Sequence, residues 1–306
     1  MPAPDRMHRP LKVNSISRTV MHMSHSTDTD FQHLTVPEGR IAYTDAGAGR
    51  LVVLVPGMGD LRATYALLTP ALVDAGYRVV VTDLRGHGDS DTDFRAYGDA
   101  VTASDLVALV EHLASGPAVL VGNSMGGSAA LIAAADRPEL VAGVVTLSGF
   151  YREPVSPAVS SLLRLVYRVL FARPWGAAVW SWYVRSALSK GRPTPDLDAR
   201  IALLRETFSD PAHLRAFRRL TTALDHRETE ARLPDVRTPV LAVFGDTDPD
   251  FSDPESELAF ARESVGAEGV VLGGVGHYPQ LQAAGDVLAL LLPFLASATH
   301  RSGADA

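Results

Sequence analysis

The chain has 306 residues, a formal net charge of −7, 46% hydrophobic residues and no cysteine. That apolar fraction fills a sizeable core and excludes a disordered composition. The missing cysteines exclude disulfides, thiol nucleophiles and thiolate metal sites. No clustered basic footprint of a nucleic-acid binder is present, and no apolar run reaches the ~18 residues of a membrane span.

Residues 6–27 contain Arg6, Arg9, Lys12 and Arg18, several serines and no acid. An organelle transit peptide shares that bias. The plainer expectation is a disordered tail over residues 1–30, or an overlong start, with Met7, Met21 and Met23 as alternative initiators. No apolar core of a secretory signal is present, and a cytoplasmic protein is expected.

From residue 31 the pattern becomes regular. His33–Val36 and Arg40–Thr44 read as a hairpin around Pro37-Glu38-Gly39. Leu51–Val55, Arg78–Thr82, Ala118–Val121 and Gly143–Leu147 follow as buried strands, and Pro239–Phe244 and Gly269–Leu272 as two more after a gap. Helical spacing appears between them. Leu106, Leu109, Val110 and Leu113 share one face, as do Val287, Leu290, Leu291 and Phe294. Alternation of strand and helix predicts an α/β fold with a mostly parallel sheet covered on both faces.

The gap, residues 151–234, holds no convincing strand but contains aliphatic stretches, prolines at 154, 157, 174, 193 and 195, and all three tryptophans, Trp175, Trp180 and Trp182. A helical subdomain inserted between two sheet strands accounts for it; an ordinary helical layer is the alternative. The expected division is therefore a core of residues 31–150 and 235–297, an insertion over 151–234, and a flexible tail over 298–306.

Gly122-Asn123-Ser124-Met125-Gly126 matches G-x-S-x-G. The bare match is weak, but its context is strong. A strand runs into it and the helix-forming run Gly127–Ala134 leaves it. A strand, a sharp turn and a helix are the geometry that exposes a serine at a strained elbow. A serine hydroxyl needs a histidine base, and the histidine needs a carboxylate to orient it. In this architecture the acid and then the histidine follow the serine. Beyond Phe244 only His277 and His300 remain, and His300 lies in a polar tail. His277 follows the flexible Gly273-Gly274-Val275-Gly276 and is the expected base. The acid lies in Gly245-Asp246-Thr247-Asp248-Pro249-Asp250, where spacing alone does not separate the aspartates. Two backbone N–H groups should converge on an oxyanion: Met125 after the nucleophile, and Met58 in Pro56-Gly57-Met58-Gly59 after the first buried strand.

Over about residues 32–297 these motifs together resemble the α/β-hydrolase superfamily, in its lidded esterase, lipase and C–C hydrolase branch. Asp83-Leu84-Arg85-Gly86-His87-Gly88-Asp89-Ser90 is similar to that family's D-x-R-G-x-G-x-S segment. The resemblance implies Asp248 as the acid, with Asp246 as the alternative. It implies a structural role for His87 and a loop-ordering role for Arg85. It makes the insertion a cap over the active site, whose tryptophans, with Phe150 and Tyr151, line an apolar pocket. Pro56 departs from the family's usual histidine there without removing the Met58 amide.

The expected activity is hydrolysis of an ester or related acyl bond in a mainly apolar small molecule, with no metal or organic cofactor. C–C bond hydrolysis and acyl transfer use the same three residues and stay open. So do a natural-product tailoring enzyme and a non-catalytic binding protein on this fold.

Overall fold

The computed structural model describes residues 31–301. Eight strands form one sheet: β1 (Gln32–Val36), β2 (Gly39–Ala46), β3 (Arg50–Val55), β4 (Tyr77–Thr82), β5 (Ala118–Asn123), β6 (Val141–Leu147), β7 (Val240–Gly245) and β8 (Glu268–Leu272). Their order is β1-β2-β4-β3-β5-β6-β7-β8. The β1–β2 hairpin pairs antiparallel to β4, and every later pairing is parallel. All eight predicted strands are present.

The sheet is covered twice because its central strands are apolar on both faces. Along β3, Val53 and Val55 enter one buried cluster while Val52 and Leu54 enter the other. Helix α1 (Leu68–Asp74) contributes Leu68 and Leu72 to the second cluster, whereas α2 (Asp99–Leu113) and α3 (Met125–Asp136) pack into the first. The predicted stripe of α2 is buried at Leu106, Leu109 and Val110.

Between β6 and β7 the chain forms α4 (Pro157–Leu170), α5 (Gly176–Tyr183), a π-helical turn (Val184–Leu188), α6 (Leu197–Ser209), α7 (Pro211–Ala223) and α8 (Arg227–Arg232). Asp210 caps α7, accepting from the N–H groups of Ala212 at 2.7 Å and His213 at 3.2 Å, with Pro211 opening the helix. Helices α4 to α7 and the π-helical turn share an apolar cluster of their own, with Phe171, Trp180, Phe208 and Phe217 at its centre. Leu61, Tyr278 and Leu281 complete it from the loops that follow β3 and β8. The insertion is thereby seated over the carboxyl ends of the strands, the usual ligand-binding edge of such a sheet.

Helices α9 (Pro254–Val265), α10 (Pro279–Gln282) and α11 (Ala284–Arg301) close the chain. The expected boundary at residue 297 is too early. Helix α11 runs to Arg301, and Ala298 is buried beside Phe294 against Gly143 of β6. The expected tail over residues 1–30, and residues 302–306, lie outside the described residues.

The segment from Asp83 to Ser90 shows why its pattern is so dense. Asp83 is buried and accepts from the N–H groups of Arg62 and Asp89, each at 3.1 Å. Burial raises its carboxyl to about 6, although Arg62 pulls the other way. Gly88 lies against that carboxylate, where a Cβ would collide. Ser90 Oγ accepts from the Ala42 N–H of β2 at 2.9 Å. Arg85 forms a two-point pair with Asp105 of α2, at 2.7 and 2.8 Å, and lies 4.7 Å over the Phe94 ring. Both partners of that pair are almost fully buried. Removing one leaves an uncompensated charge, at a cost of about 3–5 kcal/mol. Arg85→Ala is therefore expected to lower the unfolding free energy in urea by that amount; a loss below ~1 kcal/mol would contradict the buried pair.

Candidate active site

Ser124 sits at the tip of the turn between β5 and α3 with φ 52° and ψ −126°. A non-glycine residue adopts such a conformation only where its surroundings enforce it. Here they do. The Ser124 N–H is bonded to Leu147 O of β6 at 2.9 Å, and its carbonyl accepts from the Gly127 N–H at 2.9 Å. The glycines around it permit close backbone crossings. A Cβ on Gly126 would lie 2.5 Å from Val55 O, and one on Gly57 would lie 2.8 Å from the Ser124 Cβ. A Cβ on Gly122 would collide with the main chain of Gly126 and Gly127.

His277 is buried, and its Nδ1 lies 2.9 and 3.1 Å from the two carboxylate oxygens of Asp248. Its main chain is held on both sides. The His277 N–H donates to Leu188 O, at the end of the π-helical turn, at 3.0 Å. Its carbonyl accepts from Asn123 Nδ2 at 3.0 Å, and the same amide donates to Leu147 O at 2.8 Å. Asn123 thus ties the histidine loop to the residue preceding Ser124. Among the described residues Nε2 of His277 has no hydrogen-bond partner, so that nitrogen is open to a hydroxyl or a ligand.

Of the competing aspartates, Asp248 faces the ring. Asp246 is exposed and accepts from the Gly274 N–H at 2.6 Å, bracing the glycine turn instead. Asp250 adds a second carboxylate 3.5 Å from Nδ1 and accepts from the Tyr183 hydroxyl of α5 at 3.2 Å. Burial pushes His277 toward its neutral form. The charges of Asp248 and Asp250, with the hydrogen bond to Asp248, outweigh it and raise the ring to about 9. Burial raises the Asp250 carboxyl, against the pull of His277. Asp248, Asp250 and His277 offer ligand atoms all within 4.8 Å of one another, an arrangement open to a cation. The Nδ1–Asp248 contact competes with that use, because an Nδ1 that donates has no lone pair for a metal.

The loop after β3 is braced from beneath. His87 is fully buried, with Nδ1 2.9 Å from Arg85 O and Nε2 accepting from the Gly59 N–H at 3.1 Å. Burial lowers His87 to about 4, consistent with a neutral ring that donates to one carbonyl and accepts from one amide. From above, Trp180 Nε1 donates to Gly59 O at 2.8 Å. Among the described residues neither the Met58 nor the Met125 N–H has an acceptor; Met125 directly follows Ser124, and Met58 follows Gly57, which lies against the Ser124 side chain.

The predicted pocket aromatics separate. Trp180 and Phe150 are buried near these loops, Phe150 stacked on His226 at 4.2 Å. Tyr151 belongs to the core: it is wholly buried, with its hydroxyl 2.9 Å from Thr146 Oγ1. Trp175 and Trp182 are exposed, because they lie on the outer side of the insertion's apolar cluster. Three features escaped the sequence reading. Asn123 stood as a wildcard inside a motif. Asp250 stood two places from Asp248 in an acid-rich loop. Arg200 of α6 pairs with Asp60 at 2.7 Å and stacks 3.9 Å from the Tyr278 ring, a juxtaposition set only by tertiary structure.

The chain belongs to the alpha/beta hydrolase family, whose model matches residues 52–290. A 2-hydroxy-6-oxononadienedioate/2-hydroxy-6-oxononatrienedioate hydrolase of Paraburkholderia phymatum is 27% identical over 90% of this chain and 98% of its own length. An epoxide hydrolase of Caballeronia sordidicola is 36% identical over a shorter stretch, 34% of this chain and 32% of its own. Among solved structures, a thermophilic esterase of Thermogutta terrifontis superposes with a TM-score of 0.73 at 25% identity, covering 88% of this chain and 99% of that one. These relatives are hydrolases of several bond types, and hydrolysis is the reaction class the family carries to this chain.

The ring environment is testable by itself. The His277 imidazole, followed by NMR, is expected to titrate near pH 9. Removing a neighbouring negative charge disfavours the imidazolium, so Asp250→Asn should lower that value while Asp246→Asn leaves it in place. Titration of the wild type near the ordinary ~6.5, or equal shifts in the two variants, would contradict this electrostatic arrangement.

Proposed function

We propose that this protein is a serine hydrolase that cleaves a carboxylic ester or related acyl bond in a mainly apolar small molecule. Ser124 is the nucleophile. The neutral form of His277, whose share grows as pH rises toward about 9, takes the proton at Nε2 as Oγ attacks the carbonyl carbon, and Asp248 holds the ring and stabilises its charged form. The amides of Met58 and Met125 receive the oxyanion. Collapse breaks the bond to the leaving group, which takes the proton from His277. A water molecule then attacks the acyl-enzyme, gives its proton to His277, and restores the Ser124 hydroxyl as the acid departs. The helical insertion acts as a cap; its Trp180 bonds the Gly59 carbonyl of the loop after β3, and Phe150 packs on Phe251 of the acid loop.

One observation carries the reading: Asn123 fastens the His277 loop beside the serine elbow, while the ring presents an unpartnered Nε2 and turns Nδ1 to Asp248. The serine at the elbow also separates this chain from an aspartate-nucleophile chemistry of the epoxide hydrolase type.

A second reading, C–C bond hydrolysis of a carboxylate-bearing diketone by the same three residues, is favoured by Arg200. That side chain is nearly buried, contacts Asp60 and Tyr278, and leaves Nε and Nη1 without a partner among the described residues. The near-full-length relative named for a dienedioate hydrolase supports this reading too.

Turnover of short-chain p-nitrophenyl esters decides the leading proposal. Ser124→Ala is expected to lower kcat by at least ~10⁴-fold with the fold intact. Equal rates in the two proteins would end it. Cleavage of a carboxylated diketone but not of the esters, lost in Ser124→Ala and weakened in KM by Arg200→Gln, would replace it with the second reading.

A further inference from the structure

Helix α4 packs on the insertion through Ser160, Tyr167 and Phe171, the residue that follows its last turn. Its opposite side is apolar as well. Val159, Leu162, Leu165, Val166, Val169 and Leu170 recur at helical spacing and are all exposed, with Leu162 60% accessible and Leu165 and Val169 each 59%. Trp175 extends the stripe: it is exposed, and its Nε1 donates to Val169 O at 2.9 Å. Isolated exposed leucines are ordinary, but a contiguous stripe of this kind marks an interaction surface.

The charge around the stripe is as one-sided as its hydrophobicity. Residues 154–195 contain six cationic side chains, Arg164, Arg168, Arg173, Arg185, Lys190 and Arg192, and no Asp or Glu, in a chain whose net charge is −7. Three of the six pair with acids from outside that segment: Arg164 with Asp225, Arg185 with Asp198 and Arg192 with Asp286. Arg168 and Arg173, at the border and the end of the stripe, are exposed and have no acidic partner among the described residues.

We propose that this face is a membrane-docking surface, on which α4 lies in the plane of an anionic phospholipid bilayer. The combination of an apolar stripe, bordering arginines and a tryptophan at its end is that of an interfacial helix. Its 14 residues are too few to cross a bilayer, and no described helix is long and apolar enough to do so. Charge complementarity selects the occupant. A second copy of the chain, docked about a twofold axis, would bring the unpaired arginines of both copies toward one seam. Anionic headgroups supply the opposite charge instead. The inference is independent of the bond the protein cleaves.

Co-sedimentation of the full chain with vesicles tests it. Pelleting is expected with phosphatidylcholine vesicles containing roughly a third phosphatidylglycerol, little with phosphatidylcholine alone, and little in ~1 M salt, where screening reaches ~3 Å. Leu162→Ser combined with Leu165→Ser and Val169→Ser should weaken binding at least ~10-fold. Arg168→Gln and Arg173→Gln should each cost about 5-fold on the anionic vesicles only. All these positions are exposed, so unchanged thermal melting is expected and separates lost docking from lost folding. Wild-type protein that stays in the supernatant, or binds both vesicle types equally, overturns the proposal. So do variants that bind like the wild type, which would assign the binding to another segment. A concentration-dependent dimer abolished by the triple serine variant, without vesicle binding, overturns it in favour of a self-interface.

Discussion

The site depends on a steric constraint: three backbone segments cross at the β5–α3 turn more closely than side chains allow. Glycine at 57, 122 and 126 makes the crossing possible. With those crossings in place, Ser124 is forced to positive φ and projects from the turn, between the loop after β3 and the end of β6. The strain, of order 1–3 kcal/mol, is held by the hydrogen bonds and packing of the surrounding sheet. A Cβ at any of these glycines would displace the elbow before it disturbed the distant core. Their sequence pattern therefore carries information about the site as much as about the fold.

The other half of the site is electrostatic, and the insertion completes it. The histidine loop is fastened from below by Asn123 and from above by the Leu188 carbonyl. Tyr183 touches Asp250, Trp180 bonds the Gly59 carbonyl, and Arg200 reaches Asp60. Each contact runs from an inserted helix or turn to a loop of the sheet. A rearrangement of the insertion would alter the charge around His277 as well as access to Ser124, because Asp250 and its Tyr183 partner lie on that boundary. The same body turns an apolar, acid-poor face outward at α4. The insertion thus has an inner surface that shapes the site and an outer one with a separate character.

Much of this was legible in the amino-acid order because the relevant signals are local. The strands from β3 onward announced themselves as short apolar runs, since a sheet buried on both faces tolerates little else, while β1 and β2 were marked by the Pro37-Glu38-Gly39 turn between them. Ser124 and His277 stood out because a turn between a strand and a helix, and a glycine-rich loop, need special backbone residues nearby. Asp248 and Asp246 could not be separated on spacing, since both follow β7 within a few residues. Only the fold shows that Asp246 bonds the Gly274 amide and Asp248 the imidazole. The tryptophans misled for the same reason. Composition places all three in the insertion, but which face of a helix looks outward is settled by tertiary packing. Trp180 therefore lies against the site loops, while Trp175 and Trp182 face outward. The end of α11 was drawn short because Ala298 gives no strong apolar signal, although it is buried against the sheet.

A crystal structure of the protein inactivated by an alkyl phosphonate probes the central geometry most directly, because the adduct mimics the tetrahedral intermediate. The account predicts phosphorus bonded to Ser124 Oγ, a phosphoryl oxygen accepting from the Met58 and Met125 amides, and Nε2 of His277 within hydrogen-bond reach of the adduct. Phosphorus on any other side chain, no adduct at all, or an imidazole turned away from a modified Ser124 would contradict it.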